Sequence, residues 1–365
     1  MHRLDHIYQT LYSELAQRAL DGSFSSEFSI VGRFIKMESR GRRYWYFDTP
    51  KEGGGKARRY VGPVDDEEIT RRVENFKDLK ADDRTRRKIV STLIREAYLP
   101  RPEPFVGHLI QTLAEQGFFR LQGVLVGTVA YQCYAALLGM RLSHTAMQTA
   151  DADFAQFQSI SAAVGDTLPP ILDVLRRVDE TFREVPHQSD GRQATRFTSR
   201  SGYKVEFLTP STGSADQDGH PAHMPALGGA SAEPLRFLDF LIYQPARAVM
   251  LHGAGVPVLV PAPERYAVHK LIVASRRRKD DDGTAKSRKD RAQARTLIEA
   301  MLQIRQGDAL ADAFKEAWDR GPAWREAIGD SLRSYDDATR HRLKSGLAEG
   351  MRDLKSDPAA YGLAD

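Results

Sequence analysis

Apolar residues four apart at Ile7, Leu11 and Leu15, with Asp21-Gly22 as a stop, predict an amphipathic helix over residues 1–20. The period then falls to two. Phe34-Ile35-Lys36-Met37 and Arg43-Tyr44-Trp45-Tyr46-Phe47 read as strands, and Arg58-Arg59-Tyr60-Val61 follows a Gly53-Gly54-Gly55 turn. Residues 30–62 are therefore expected to form a small antiparallel meander. Asp65-Asp66-Glu67-Glu68 puts acids at the positive end of a long charged helix, which runs to about Tyr98 and stops before Pro100. Pro100, Pro102 and Pro104 mark a boundary.

Beyond the prolines, helix and strand alternate. The pattern predicts helix 106–117, strand 119–126, helix 128–139, strand 151–157, helix 168–182 and strands 194–199 and 203–208. A polar loop over 209–232, strands 247–252 and 256–260, and helices from 263 onward complete it. The expected class is α+β, with an N-terminal helix, meander and long helix (1–104), a mixed core (105–262) and a helical region (263–365).

Composition narrows the picture. With 365 residues, 41% of them hydrophobic, the chain has enough apolar mass for a core. No run approaches the ~18 apolar residues of a membrane span. Met1-His2-Arg3-Leu4-Asp5 has no secretory pattern, and the single Cys133 makes neither an internal disulfide nor a Cys-rich zinc module. A cytoplasmic protein is expected.

The net charge of +4 is small but unevenly spread. Arg33, Lys36, Arg40, Arg42, Arg43, Lys51, Lys56, Arg58 and Arg59 crowd the meander, interleaved with aromatic residues. One reading sets Arg42, Arg43, Arg58 and Arg59 on nucleic-acid phosphates with Trp45 stacking on a base. The other makes the aromatics a small core and the arginines a soluble edge. Alternation places Tyr44 and Tyr46 on one face and Arg43, Trp45 and Phe47 on the other, so at most one aromatic set is free.

Candidate chemistry lies further on. In Leu125-Val126-Gly127-Thr128-Val129, an apolar strand ends in glycine and a small hydroxyl residue, and a helix starts at once. This is either a tight turn capped by Thr128 or a cradle where phosphate meets backbone amides. Asp151 and Asp153 stand at i and i+2 on an apolar strand, so both project to one face and repel unless a cation answers them. Magnesium suits such paired carboxylates. Glu206, between Val205 and Phe207, either faces solvent or joins the two aspartates.

A strand, Gly-small, helix, then apolar Asp-x-Asp, then a later strand with one acid, resembles the DNA polymerase beta-type nucleotidyltransferase superfamily. The chain is similar to a bacterial family of nucleotidyltransferase-fold proteins over roughly residues 105–300. The matching stretches are Val124–Thr128, Thr149–Phe154, Val205–Pro210, Pro263–Leu271 and Lys289–Ala294. Two departures stand out: Thr128 replaces the commoner Gly or Ser, and 24 residues separate Gly127 from Asp151. A helix or loop through Arg141-Leu142-Ser143-His144 is expected to fill that gap.

The resemblance implies a polymerase beta-like core that moves NMP from an NTP to a hydroxyl acceptor. Asp151, Asp153 and Glu206 would be catalytic and hold two Mg²⁺, with Mn²⁺ as the alternative ion. Gly127, Thr128 and Lys270 would bind the nucleotide. The first acceptor expected is RNA, such as tRNA, and the second a protein side chain. The rival is a non-catalytic nucleic-acid-binding or toxin–antitoxin-type protein keeping the fold. His269 is expected to be structural, Asp290 to pair with a nearby basic group and position its helix, and the Arg276–Asp282 run to be solvated. A metal at Asp216, Asp218, His220 and His223 is disfavoured by Pro221, and neither a Gly-x-Ser-x-Gly elbow nor a Walker A motif occurs.

Overall fold

The computed structural model describes all residues except 29–31, 40, 51–54, 77–82, 143–150, 212–218 and 365. Arg40, Lys51, Gly53, Gly54, Ser143, His144, Thr149, Asp216 and Asp218, named above, lie outside the described residues.

The chain opens with β1 (His2–Arg3) and α1 (His6–Glu27). The meander follows as β2 (Arg33–Ser39), β3 (Arg42–Pro50) and β4 (Lys56–Pro63), antiparallel in that order. Two helices, α2 (Glu67–Glu74) and α3 (Asp83–Arg95), stand where the charge pattern predicted one. Asp66 caps α2 by accepting from the Ile69 N–H at 3.0 Å. Asn75 ends it, leaving helical geometry while its side chain donates to the Arg71 carbonyl.

The central region comprises α4 (Pro104–Glu115), β5 (Val124–Val126), α5 (Gly127–Leu137), β6 (Met140–Arg141), β7 (Asp151–Ala155), α6 (Gln158–Ala163) and α7 (Ile171–Arg176). Then come β8 (Arg183–Pro186), β9 (Ala194–Thr198), β10 (Lys204–Pro210), β11 (Ala222–His223), β12 (Ser231–Leu235), α8 (Leu238–Leu241), β13 (Ala246–Met250) and β14 (Val256–Val260). The helical end is α9 (Pro263–Arg276), α10 (Asp281–Gln303), α11 (Gly307–Asp319), α12 (Pro322–Arg333) and α13 (Asp337–Asp353). The strand expected over 119–126 shrinks to three residues, because the chain turns at Gly117 and again at Gln122, both at positive φ. The helix expected from 168 starts at Ile171, after Pro169-Pro170.

A seven-stranded mixed sheet organises the middle, in the order β11-β12-β10-β7-β5, with β8 and β9 branching from β10. β7 runs parallel to β10 and antiparallel to β5. The other edge of β10 is shared: β9 pairs with Lys204–Glu206 and β12 with Leu208–Pro210. Among the described residues, no helix is long and apolar enough to cross a membrane.

One apolar core extends from Leu4 to Leu363 and includes Tyr12, Leu15 and Ala19 of α1. Tyr12 fixes α1 to β13: its hydroxyl accepts from the Val249 N–H at 2.9 Å. A second, smaller cluster of Phe28, Trp45, Phe47, Val61 and Val73 lies under the meander.

This cluster corrects the stacking role expected of Trp45. Its ring is 7% exposed, its indole N–H donates to Thr70 Oγ1 at 2.8 Å, and the Lys36 ammonium lies 4.6 Å from the ring centroid. Tyr44 and Tyr46 on the opposite face pack against the main core beside Tyr60. Both faces of β3 are thus used in packing. Arg58 gives both prongs of its guanidinium to the buried Asp48, at 2.8 and 3.1 Å, and so is committed within the sheet. The Arg59 guanidinium lies over the Phe28 ring, whereas Arg42 and Arg43 are exposed.

Candidate active site

The apolar positions of two strands set the site. Ala152 and Phe154 of β7, with Val205 and Phe207 of β10, are buried, and the Phe154 and Phe207 rings stack 5.7 Å apart. With that face committed to the core, the alternate residues Asp151, Asp153 and Glu206 must occupy the other. Register then brings them together: Glu206 lies directly beside Asp153 on one side, and Val126 on the other.

Gly127 follows Val126 and opens α5 with φ +69°. A Cβ there would lie 2.6 Å from Asp153 Oδ2, so only glycine lets this carboxylate rest against the turn. The Tyr266 hydroxyl sits 2.9 Å from the Gly127 carbonyl and 3.0 Å from Gln293 Oε1, so α9 and α10 hold the turn from behind. No side chain caps α5, and Thr128 is buried in its first turn rather than acting as the cap. Gly127→Ala is expected to combine backbone strain with a clash against Asp153. A carboxylate displaced by about 1 Å costs about 100-fold in rate. Comparing nucleotidyl-transfer rates and melting curves of the two proteins checks this; an unimpaired rate would show that Asp153 need not sit against the turn.

Three negative groups on one face have an electrostatic cost. Burial, then Asp151 and Glu206, push the Asp153 carboxyl up to about 7, with Lys270 and Arg277 opposing. Glu206 is met by Arg196 of β9, Nε to Oε1 at 2.5 Å, from the directly opposed register position. Among the described residues, no three His, Cys, Asp or Glu side chains close around one point as a metal-holding group. The three carboxylates share a face, while Glu206 is turned to Arg196. The donor set still fits a hard divalent cation: carboxylate oxygens only, crowded enough that positive charge relieves them.

Lys270 is not the mobile cation that the sequence suggested. It is 7% exposed, and its Nζ is 2.6 Å from Asp290 Oδ1, while Arg277 Nε is 2.8 Å from Oδ2. Asp290, 1% exposed, is thus clamped between two cations that hold its carboxyl below the usual range against the effect of burial. His269 beside them is pushed down to about 3 by burial and by Lys270, and is neutral.

Two further residues belong near the site. The half-buried Lys289 is disfavoured as a cation by burial and Lys270, and favoured by Asp151 and Asp290. Tyr203, just before β10, has a buried hydroxyl without a hydrogen-bond partner among the described residues, and burial, then Asp151, Asp153 and Glu103, disfavour its ionisation. Sequence reading passed over both. Arg196 was legible: strands 194–199 and 203–208 form a hairpin that sets an arginine opposite Glu206.

A family model described as nucleotidyltransferase matches residues 105–319, from the first turn of α4 to the end of α11. That is more than half of the chain, and the chain belongs to the nucleotidyltransferase family. It is a nucleotidyltransferase enzyme. No curated protein and no solved structure matches it.

Proposed function

We propose that this enzyme transfers NMP from an NTP to a hydroxyl acceptor on a polymerase beta-like core. A new P–O bond forms at the α-phosphorus, the bond to the β-phosphate oxygen breaks, and pyrophosphate leaves. The observation that carries this reading is the in-register placement of Asp151, Asp153 and Glu206 on one sheet face against the Gly127 turn.

Asp151, Asp153 and Glu206 are the residues that would hold two Mg²⁺, or Mn²⁺, which when bound supply charge neutralisation at the phosphates and polarisation of the acceptor hydroxyl. Gly127 and Thr128, at the uncapped start of α5, offer backbone amides to the outer phosphates. Tyr266 and Gln293 keep that turn in place. Glu206, once released by Arg196, is the carboxylate that takes the acceptor proton. Lys270 acts from behind the turn, as a fixed charge that offsets Asp153.

RNA is the first acceptor to test. Exposed Arg42 and Arg43 support phosphate contacts, and base stacking on Trp45 no longer does. The test incubates the protein with labelled NTPs, Mg²⁺ and total RNA, beside Asp151→Ala/Asp153→Ala. Transfer to RNA by the native chain alone is expected. Label on protein instead would reassign the acceptor, and equal transfer by both proteins would remove these residues from the reaction.

A further inference from the structure

A cleft of about 330 Å³ opens where α3, the proline segment 100–104, the start of α4 and the turn between β13 and β14 meet. Its polar lining is one-sided. Arg87, Arg95, Arg101 and His252 face it together with Ser91, and the other lining residues are apolar or glycine. No aspartate or glutamate lines it among the described residues. Several arginines elsewhere are treated differently: Arg58, Arg72, Arg120, Arg196 and Arg265 each meet a carboxylate. Arg95 and Arg101 are exposed and have no ion-pair partner among the described residues.

The cleft is built into the fold. Gly107 of α4 leaves room for the His252 ring, because a Cβ there would lie 2.2 Å from Nδ1. Burial, His108 and Arg87 keep that imidazole below its usual value. Concave surfaces of one sign concentrate ions of the other.

A chain of packed residues leads from the cleft toward the carboxylate site. Pro104 lines the cleft, and the next residue, Phe105, sets its ring edge-on to Tyr203 at 5.2 Å. The Tyr203 hydroxyl is in turn under the influence of Asp151 and Asp153.

We propose that this cleft is a phosphate-binding site, taking either the backbone of a single-stranded polynucleotide acceptor or the free triphosphate of a nucleotide. Guanidinium groups meet phosphate oxygens in paired, charge-assisted hydrogen bonds, and an imidazole N–H can add one more donor. The role of the cleft in holding an acceptor rests on the nucleotidyl-transfer reading; anion binding by itself does not.

The experiment measures binding of two probes to the full chain without divalent metal: inorganic triphosphate and a short unstructured RNA. Native protein is compared with Arg95→Glu/Arg101→Glu and with Asp151→Ala/Asp153→Ala. The arginine variant is expected to lose at least about tenfold in affinity for the probe that fills the cleft. For RNA, its salt slope should fall by about 1.4, at about 0.7 per phosphate contact on a single strand. Loss for RNA alone assigns the cleft to a strand, loss for triphosphate alone to a nucleotide, and loss for both to a general phosphate site. The aspartate variant keeps the binding, and the His252 ring signals in NMR move as the probe is added. Unchanged affinity for both probes in the arginine variant, or a His252 signal indifferent to them, overturns the proposal. If the native chain transfers nucleotide while the arginine variant binds and transfers as it does, the cleft proposal falls and nucleotidyl transfer stands.

Discussion

Replacing Asp153 with asparagine is expected to abolish nucleotidyl transfer and, in metal-free buffer, to make the folded chain more stable. Activity falls because the carboxylate that rests against the Gly127 turn is gone; loss of one preorganised charged group at a reaction centre costs about 10²–10³-fold or more. Stability rises because the native carboxyl is held at about 7 rather than 3.8, chiefly by burial and then by Asp151 and Glu206. A folded-state value above the unfolded one means that the folded chain keeps a proton the unfolded chain releases. Any penalty is therefore absent below the unfolded value, grows as pH rises, and is complete above about 7. Asparagine carries none of it. The variant should unfold at higher denaturant by roughly 2–4 kcal/mol at alkaline pH, and with little difference at about pH 4. Added Mg²⁺ should stabilise the native protein and erase the advantage. Denaturant curves at the two pH values, with and without Mg²⁺, read this out; a variant no more stable than the parent would mean that the carboxylates do not strain one another.

The opposite outcome is expected at Asp290. Asp290→Ala removes the one anion shared by Lys270 and Arg277. Arg277 is exposed enough to swing into water, but Lys270 is buried and would be stranded. Breaking such a pair costs about 3–5 kcal/mol, whereas replacing both members by apolar groups often costs little. Lys270→Met/Asp290→Leu should therefore recover most of the stability lost in the single variant. Transfer should stay depressed in both, because the same two helices carry Tyr266, whose hydroxyl donates to the Gly127 carbonyl, and Gln293, which meets that hydroxyl. Equilibrium unfolding of the three proteins decides it, and a single variant as stable as the parent would mean that Lys270 finds water.

Much of the site was legible in local alternation. Asp151, Asp153 and Glu206 interrupt apolar strands at period two, so each strand's exposed face follows from its neighbours. Which strands lie side by side is a different question, settled by distant packing: β10 pairs in parallel with β7 across about fifty residues. Asp290 was read as pairing with a basic group, and it does; that its partners are Lys270 and Arg277 was hidden for the same reason, since the Lys270 pair forms across two packed helices. The meander misled because alternation separates its two faces without saying whether either meets water. One is covered by its own cluster, and the other is partly covered by the main core. Arg87, Arg95, Arg101 and His252 come from separate elements and form no motif.

The contact between Tyr12 and Val249 spans 237 positions. A ribosome therefore releases α1 long before the hairpin it docks on exists: α3 can cover one side of the helix early, but the side that meets β13 and β14 waits until Val260 has emerged. Clipping α1 would strip one layer from the finished β13–β14 hairpin and leave α4, α5 and β5 to hold it.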